Sequence, residues 1–301
     1  MKAVQFFEYG GPDVLRNVDV EEPHAGAGQI RVAVKAAGVN PVDWKLRSGA
    51  LMQMMPIELP SIPGSDVAGV VDEVGEGVAD VALGDEVFGF AVSGGAAQHA
   101  VLEQYAAKPA GASWAEAAGW PLAVETAERS LKLLGVTPGQ TLLVNGAAGG
   151  VGSAAVQFAQ IRGARVIGTA SENNHEYLRT LGAEPTTYGD GLVDRVRELA
   201  PDGVDLALDA AGVGVLPELI EITGSPDNVV SIADFSAAEH GVRFSPGPEG
   251  RAWEALDQAA ELYEAGQLTL PVETFPLEQA SQAHRASEAG HVRGKIVLTV
   301  T

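Results

Sequence analysis

The residues whose types and spacing could do chemistry are concentrated in Gly146-Ala-Ala-Gly-Gly-Val-Gly152. The run is entered from the apolar stretch Thr141–Asn145 and leads into Ser153-Ala-Ala-Val-Gln-Phe-Ala-Gln160. An apolar strand that runs into a small-residue turn opening a helix is what a dinucleotide requires. Small residues let the backbone turn sharply, approach a pyrophosphate and pack the helix onto the strand. The unpaired amides and positive dipole end of the helix then hold the anion. Against the pattern GxGxxG the positions are Ala147, Gly149 and Gly152, with alanine in place of the first glycine. The candidate phosphate-binding residues are Ala148, Gly149, Gly150, Val151 and Gly152. A tight turn in some other α/β protein would use similar residues, and the strand–turn–helix context favours the nucleotide.

The choice of nicotinamide coenzyme turns on the next strand, which ends Ile167-Gly-Thr-Ala-Ser171. An NAD site places an acid at this end to accept hydrogen bonds from the ribose 2′-hydroxyl. Thr169, Ala170 and Ser171 offer no carboxylate, which leaves room for a 2′-phosphate and favours NADP(H). Glu172 follows one residue later, and a shift of register would restore the NAD reading. Asn174, His175 and Arg179 are the nearest donors.

The elements that must position these groups change character along the chain. Met1 to about Ser113 reads as short extended runs (Gln29–Ala36, Ala68–Val74, Asp85–Val92) separated by glycine turns, a compact β-rich unit. From Thr141 to about Ala233, apolar strands alternate with helical stretches, the signature of βαβ units and a parallel sheet. Strands are expected at 141–145, 165–169, 185–188, 206–209 and 229–233, with helices beginning near Gly150, Asn173, Leu192 and Gly214. Two more helices (about 251–265 and 277–288) and a last strand (295–300) complete the chain, and that strand is expected to return to the N-terminal domain.

Composition narrows the function classes. The chain has 301 residues, 46% of them hydrophobic and 20% charged, which excludes disorder and collagen. It has no Cys, so a Cys nucleophile, a redox CxxC and a thiolate-ligated zinc are all excluded. A formal charge of -21 would repel nucleic acid and anionic membranes and is the mark of a solvated surface. No apolar run reaches the ~18 residues of a membrane span. The N-terminus shows no export signal, so the expected compartment is the cytoplasm.

Further motifs carry a resemblance: Gly38-Val-Asn-Pro-Val-Asp-Trp-Lys45, Pro63-Gly-Ser-Asp-Val-Ala-Gly69 and Arg293-Gly-Lys-Ile-Val-Leu298. With the glycine turn, and in this order, they resemble the zinc-independent quinone oxidoreductases of the medium-chain dehydrogenase/reductase superfamily along essentially the whole chain. The resemblance implies an α/β protein with two parts. A GroES-like β-rich substrate domain would span 1–113, completed by about 252–301. A Rossmann domain, a doubly wound parallel sheet binding NADP, would span 114–251. It also implies NADPH-dependent reduction of quinones or α,β-unsaturated carbonyls by a homodimer.

The same resemblance assigns residues. Asn40 would orient the nicotinamide or the substrate carbonyl, although Asn before Pro41 also sets a turn. Thr126 matches a threonine near the nicotinamide, but the Gly-Leu usual before it is Val124-Glu125 here. Tyr188 matches an aromatic beside the adenosine ribose and phosphate, and Lys295 a coenzyme-proximal lysine. Ala211, Gly212, Ile232 and Ala233 lie at strand ends of the kind that face a ligand crevice, and Ser171 and Asn174 would meet the adenosine ribose. Asp43 and Asp66 read as buried caps or partners of an Arg, and the six His as scattered polar residues. Where zinc relatives carry metal ligands this chain reads Val39-Asn40-Pro41-Val42-Asp43, so no metal is expected.

Reducing a quinone or enone leaves an anionic oxygen, and a donor aimed at that oxygen lowers the barrier. Asn40 and Lys45 are the catalytic candidates. Relatives of the bacterial quinone reductase type often carry tyrosines near 45 and 51, where this chain has Lys45 and Leu51, followed by a methionine-rich stretch to Met55. That stretch reads as flexible apolar lining of a mouth for a small hydrophobic substrate. An enoyl-thioester reductase and a non-catalytic NADPH-binding sensor are the alternatives.

Overall fold

The structure is a computed structural model that describes every residue except 213, 248 and 249. In chain order the strands and helices are β1 (Lys2–Gln5), β2 (Arg16–Asp19), β3 (Ile30–Val39), α1 (Pro41–Arg47), β4 (Asp66–Val74), β5 (Glu86–Ala91), β6 (His99–Ala107) and α2 (Trp114–Gly119). Then come α3 (Pro121–Leu134), β7 (Thr141–Asn145), α4 (Gly150–Ile161), β8 (Arg165–Thr169), α5 (His175–Thr180), β9 (Glu184–Thr186) and α6 (Leu192–Leu199). The remainder is β10 (Leu206–Asp209), α7 (Leu216–Thr223), β11 (Val229–Ser231), β12 (Arg243–Phe244), α8 (Ala255–Glu264), β13 (Val272–Pro276), α9 (Ala280–Glu288) and β14 (Lys295–Thr299). Two compact units result. One comprises Met1–Leu122, Leu256–Gly266 and Leu270–Thr301; the other comprises Ala123–Ala255 and Gln267–Thr269.

The first unit is built on β3. Ile30, Val32 and Val34 alternate into the core, and beyond Ala36 nearly every residue is buried. β3 lies between β14 and β4 in a six-stranded sheet of order β13-β14-β3-β4-β5-β6, and it also pairs with β6, which closes four of the strands into a ring. β14 runs antiparallel to β3, with Ile296 opposite Val39. The Met1–Ser113 region, expected to be extended runs and turns, contains a helix, α1. Seven residues are too few to show a helical period, and Pro41 in its first turn with Asp43 in N-cap range is what starts it.

The second unit is a six-stranded sheet of order β12-β11-β10-β7-β8-β9, and all of its pairings are parallel. It is the doubly wound α/β architecture. From β7 the chain winds one way through β8 and β9, then returns to the other side through β10, β11 and β12. The switch point lies between β7 and β10, the place where such sheets bind ligands. Leu142, Leu143 and Val144 are fully buried, as both faces of a parallel sheet require. Of the boundaries that differ from the sequence expectation, two move candidate site residues: β9 stops at Thr186, which puts Tyr188 past the strand, and β11 stops at Ser231, which puts Ile232 and Ala233 in the loop after it.

Leu143 packs with Ile167, Ala207, Val229 and the apolar faces of α6 and α7 in one cluster. Leu143→Ala is expected to destabilise this unit by about 2–5 kcal/mol, measured as a lowered denaturant midpoint.

Candidate functional site

The glycine turn follows β7 at the switch point. The glycine it needs on conformational grounds is Gly146, which has φ +78. Ala147 is accordingly tolerated at the position of the pattern's first glycine. It is fully buried, and its Cβ fills the space above Gly168, where an added Cβ would come within 2.8 Å. Gly152 has a steric role, since a Cβ there would meet the Gly146 carbonyl oxygen at 2.2 Å. Gly149 is the N-cap of α4, extended at φ -76, ψ 175, and without a side chain it caps nothing. The first helical bond is donated by the Ser153 amide to the Gly149 carbonyl at 2.8 Å, so the amides of Gly150, Val151 and Gly152 precede the ladder.

The neighbouring strand ends are tied together by buried polar bonds. Thr169 Oγ1 donates to Asn145 Oδ1 at 2.7 Å and accepts from the Gly146 amide at 3.1 Å. Asn145 Nδ2 donates to Asp209 Oδ1 at 2.9 Å, and Ser231 Oγ donates to Asp209 Oδ2 at 2.7 Å. Asp209 also accepts from the amides of Ala211 (3.2 Å) and Gly212 (2.8 Å), and Ser231 Oγ accepts from Ala233 (3.2 Å). One network thus shapes the turns carrying Gly146, Ala211, Gly212 and Ala233 along one sheet edge. Ile232 joins it through its amide, 3.0 Å from the Asp209 carbonyl.

A second polar array lies in the first unit and brings together Asn40 and Lys295, which are far apart in sequence. Lys295 Nζ donates to Asp66 Oδ2 at 3.0 Å and to Asn40 Oδ1, while Asn40 Nδ2 donates to Asp66 Oδ2 at 2.9 Å. Asp66 Oδ1 accepts from the Leu122 amide at 3.1 Å, and Asp43 Oδ2 accepts from the Asn40 amide at 2.7 Å. All four side chains are buried. Asp43 is the expected cap, but the partner of Asp66 is a lysine and not an arginine. Burial, reinforced by nearby Asp66, lifts the Asp43 carboxyl from 3.8 to about 7 against the pull of the Asn40 amide and Lys295.

α1 carries the other catalytic candidate. Lys45 is half-buried, its ammonium 5.7 Å from the Trp44 ring centroid, and desolvation lowers its pKa. The far end of α1 is anchored by Arg47, which is fully buried, donates to the Gly10 carbonyl at 3.2 Å and pairs with Glu288. His284, beside Arg47, is buried and pushed down to about 3 by desolvation and that guanidinium.

In the second unit Thr126 is buried beside a cluster that its sequence context did not reveal. Glu125, fully buried, accepts from Arg129 Nε at 2.9 Å, from Arg251 Nη1 at 2.9 Å and from the Ala252 amide at 3.2 Å. Arg129 Nη2 reaches Thr126 Oγ1 at 3.3 Å. The only local signal was the i, i+4 spacing of Glu125 and Arg129 on a helix. Ser171 ends in a 3-10 turn (Glu172–Asn174), where Asn174 Nδ2 donates to Ser171 Oγ at 3.2 Å, and Glu172 is exposed. Tyr188 is 56% exposed.

Comparison with known proteins places these arrangements. Residues 26–121 match the alcohol dehydrogenase GroES-like domain, and 181–298 match the zinc-binding dehydrogenase domain. The chain is 33% identical to the chloroplastic NADPH-dependent alkenal/one oxidoreductase of Arabidopsis thaliana, over 99% of its own length and 79% of that protein's. It is 33% identical to the quinone oxidoreductase of Rattus norvegicus, over 98% and 96% of the two chains. The quinone oxidoreductase of Coxiella burnetii superposes with a TM-score of 0.85 at 31% identity, covering 100% and 99%. The chain belongs to the quinone oxidoreductases of the medium-chain dehydrogenase/reductase superfamily. Zinc, implied by one domain's description, does not suit these residues: there is no Cys, and no three His, Asp or Glu among the described residues gather as metal ligands.

Asp43 gives a pH prediction. Its folded pKa is raised, so its contribution is complete below the unfolded value and is lost as pH rises through about 7. Asp43→Asn keeps an oxygen for the Asn40 amide and has no proton to lose. Its stability relative to the parent is therefore expected to rise between about pH 4 and pH 7 and to level off above that, read from denaturation midpoints. A flat difference would show that Asp43 is ionised in the fold. A second prediction concerns the turn. An added Cβ at Gly149 meets only the Gly146 carbonyl oxygen, at 3.6 Å, and Asp is a favoured N-cap residue. Gly149→Asp is expected to fold with an undiminished melting temperature and to lose NADPH affinity by about 100-fold or more, because its carboxylate opposes the pyrophosphate.

Proposed function

We propose that the chain is an NADPH-dependent oxidoreductase that transfers hydride to a quinone or an α,β-unsaturated carbonyl without zinc. The observation that carries the reading is the uncapped start of α4 at the switch point of a doubly wound sheet. Three amides there precede the helical ladder, beside a glycine-shaped approach for a pyrophosphate. The alkenal/one and quinone oxidoreductases to which the chain is similar support the substrate class.

Gly149, Gly150, Val151 and Gly152, with Ala148, would hold the pyrophosphate. Ser171, Asn174 and Tyr188 would meet the adenosine ribose, and Ala211, Gly212, Ile232 and Ala233 would line the remainder of the coenzyme's path. Asn40, Thr126 and Lys295 would serve the nicotinamide end. When bound, NADPH supplies the hydride. The side chains manage the charge left behind, since an acceptor that takes a hydride at carbon becomes an oxyanion. Asn40 suits that task because its amide is held rigidly, one N–H committed to Asp66 and the oxygen to Lys295, which leaves the second N–H as a directed donor. Lys45, with an ammonium destabilised by burial, is the second donor, and it would favour the protonated product.

The family reading carries with it a homodimer. No helix among the described residues is long and apolar enough to cross a membrane. The test is turnover. Loss of the coenzyme's absorbance is expected with para-quinones or with enones, and Asn40→Ala is expected to lower kcat by about 10- to 1,000-fold. Tight NADPH binding with no oxidation across quinones, enones and enoyl-thioesters would leave a coenzyme-binding protein and not an enzyme.

A further inference from the structure

The turn that carries Tyr188 is held by a side chain from the next helix, Arg195 on α6. Its Nη1 donates to the Asp190 carbonyl at 2.7 Å, and its Nη2 faces the carbonyls of Thr187 (3.0 Å), Gly189 (3.2 Å) and Tyr188 (3.4 Å). The buried Nε has no hydrogen-bond partner. Neighbouring arginines are matched by carboxylates: Arg165 by Glu184 at 2.7 Å, Arg179 by Glu176 at 3.4 Å and Arg197 by Glu221 at 2.9 Å. No carboxylate among the described residues forms an ion pair with Arg195. Four carbonyl dipoles solvate its charge without neutralising it, in a chain whose formal charge is -21.

The location gives that cation a use. β8 and β9 are parallel neighbours, and the Ala170 amide donates to the Thr186 carbonyl at 3.0 Å. The chain therefore leaves β8 at Ser171 beside the place where it leaves β9 at Thr187. The segment Ser171–Asn174 contains no cation of its own, and its exposed Glu172 would repel a phosphate.

We infer that Arg195 is the residue that sets coenzyme preference: it fixes the 187–190 turn that presents Tyr188 and supplies the positive field for a phosphate on the adenosine ribose. This rests on the NADP(H) reading above. It makes Arg195 a positioning residue that acts through backbone carbonyls, with its charge felt at short range across the turn.

The experiment titrates the full-length parent, Arg195→Gln and Arg195→Lys with NADPH and with NADH at low and high salt, following tryptophan fluorescence. Arg195→Gln is expected to weaken NADPH about tenfold or more, NADH by less than about twofold, and to remove the salt dependence of the ratio between them. Arg195→Lys, which keeps the charge and loses the fork, is expected to retain most of the preference. Equal losses for both coenzymes would reduce Arg195 to a scaffold for the turn, and no loss for either would remove it from the site. A parent that binds both coenzymes alike would overturn the inference and leave a dinucleotide site. A parent that binds neither would overturn the coenzyme reading itself.

Discussion

The second unit depends on leaving one helix end unsatisfied. Every helix begins with amides that have no partner in its own ladder, and most proteins supply a side-chain cap. At α4 the N-cap is Gly149, which has nothing to offer, and the donors of the first turn stay directed toward the carboxyl edge of the sheet. That arrangement costs stability in the free protein and is what would draw an anion there. The other features of the turn preserve it. Gly146 supplies the left-handed residue, Gly152 permits the carbonyl of Gly146 to lie against the helix, and Ala147 fills the gap over Gly168.

The polar groups around that edge are arranged so that little is left to rotate. The Asp209 carboxylate receives four donors, from Asn145, Ser231 and the amides of Ala211 and Gly212, and Thr169 in turn donates to Asn145, so Asp209 sets the shape of three loops at once. The first unit uses the same device with different residues. Asn40 is clasped between Lys295 and Asp66, and Asp43 holds the start of α1 with a carboxyl whose burial favours its proton. An amide side chain held at both ends has one free direction in which to donate, which is the property an oxyanion donor needs.

Departures from the family pattern are local and chemically consistent. Glu125 stands where a small or apolar residue is usual, and its buried carboxylate is met by Arg129, Arg251 and a backbone amide, so the substitution came with its own partners. Removing both arginines would leave the buried carboxylate without a counter-charge, at a large desolvation penalty. Lys45 in place of an aromatic changes the character of α1, since a half-buried ammonium beside Trp44 is a donor as well as a packing group.

The residues by themselves determined a good deal: the order of strands and helices through 141–209, the glycine turn, the lack of thiol ligands, and the coenzyme class suggested by Thr169-Ala170-Ser171. These are readable because they rest on local periods, on backbone freedom at single glycines and on residue chemistry, all of which act within a few positions. What only the tertiary structure decided is which distant polar groups meet. Nothing near Lys295 in sequence indicates Asp66, nothing near Glu125 indicates Arg251, and Arg195 reads as one more charge on a helix until the 187–190 turn folds over it. Such pairings follow from the burial of both partners in one place, where an unpaired charge would be too costly, and burial is a property of the folded chain.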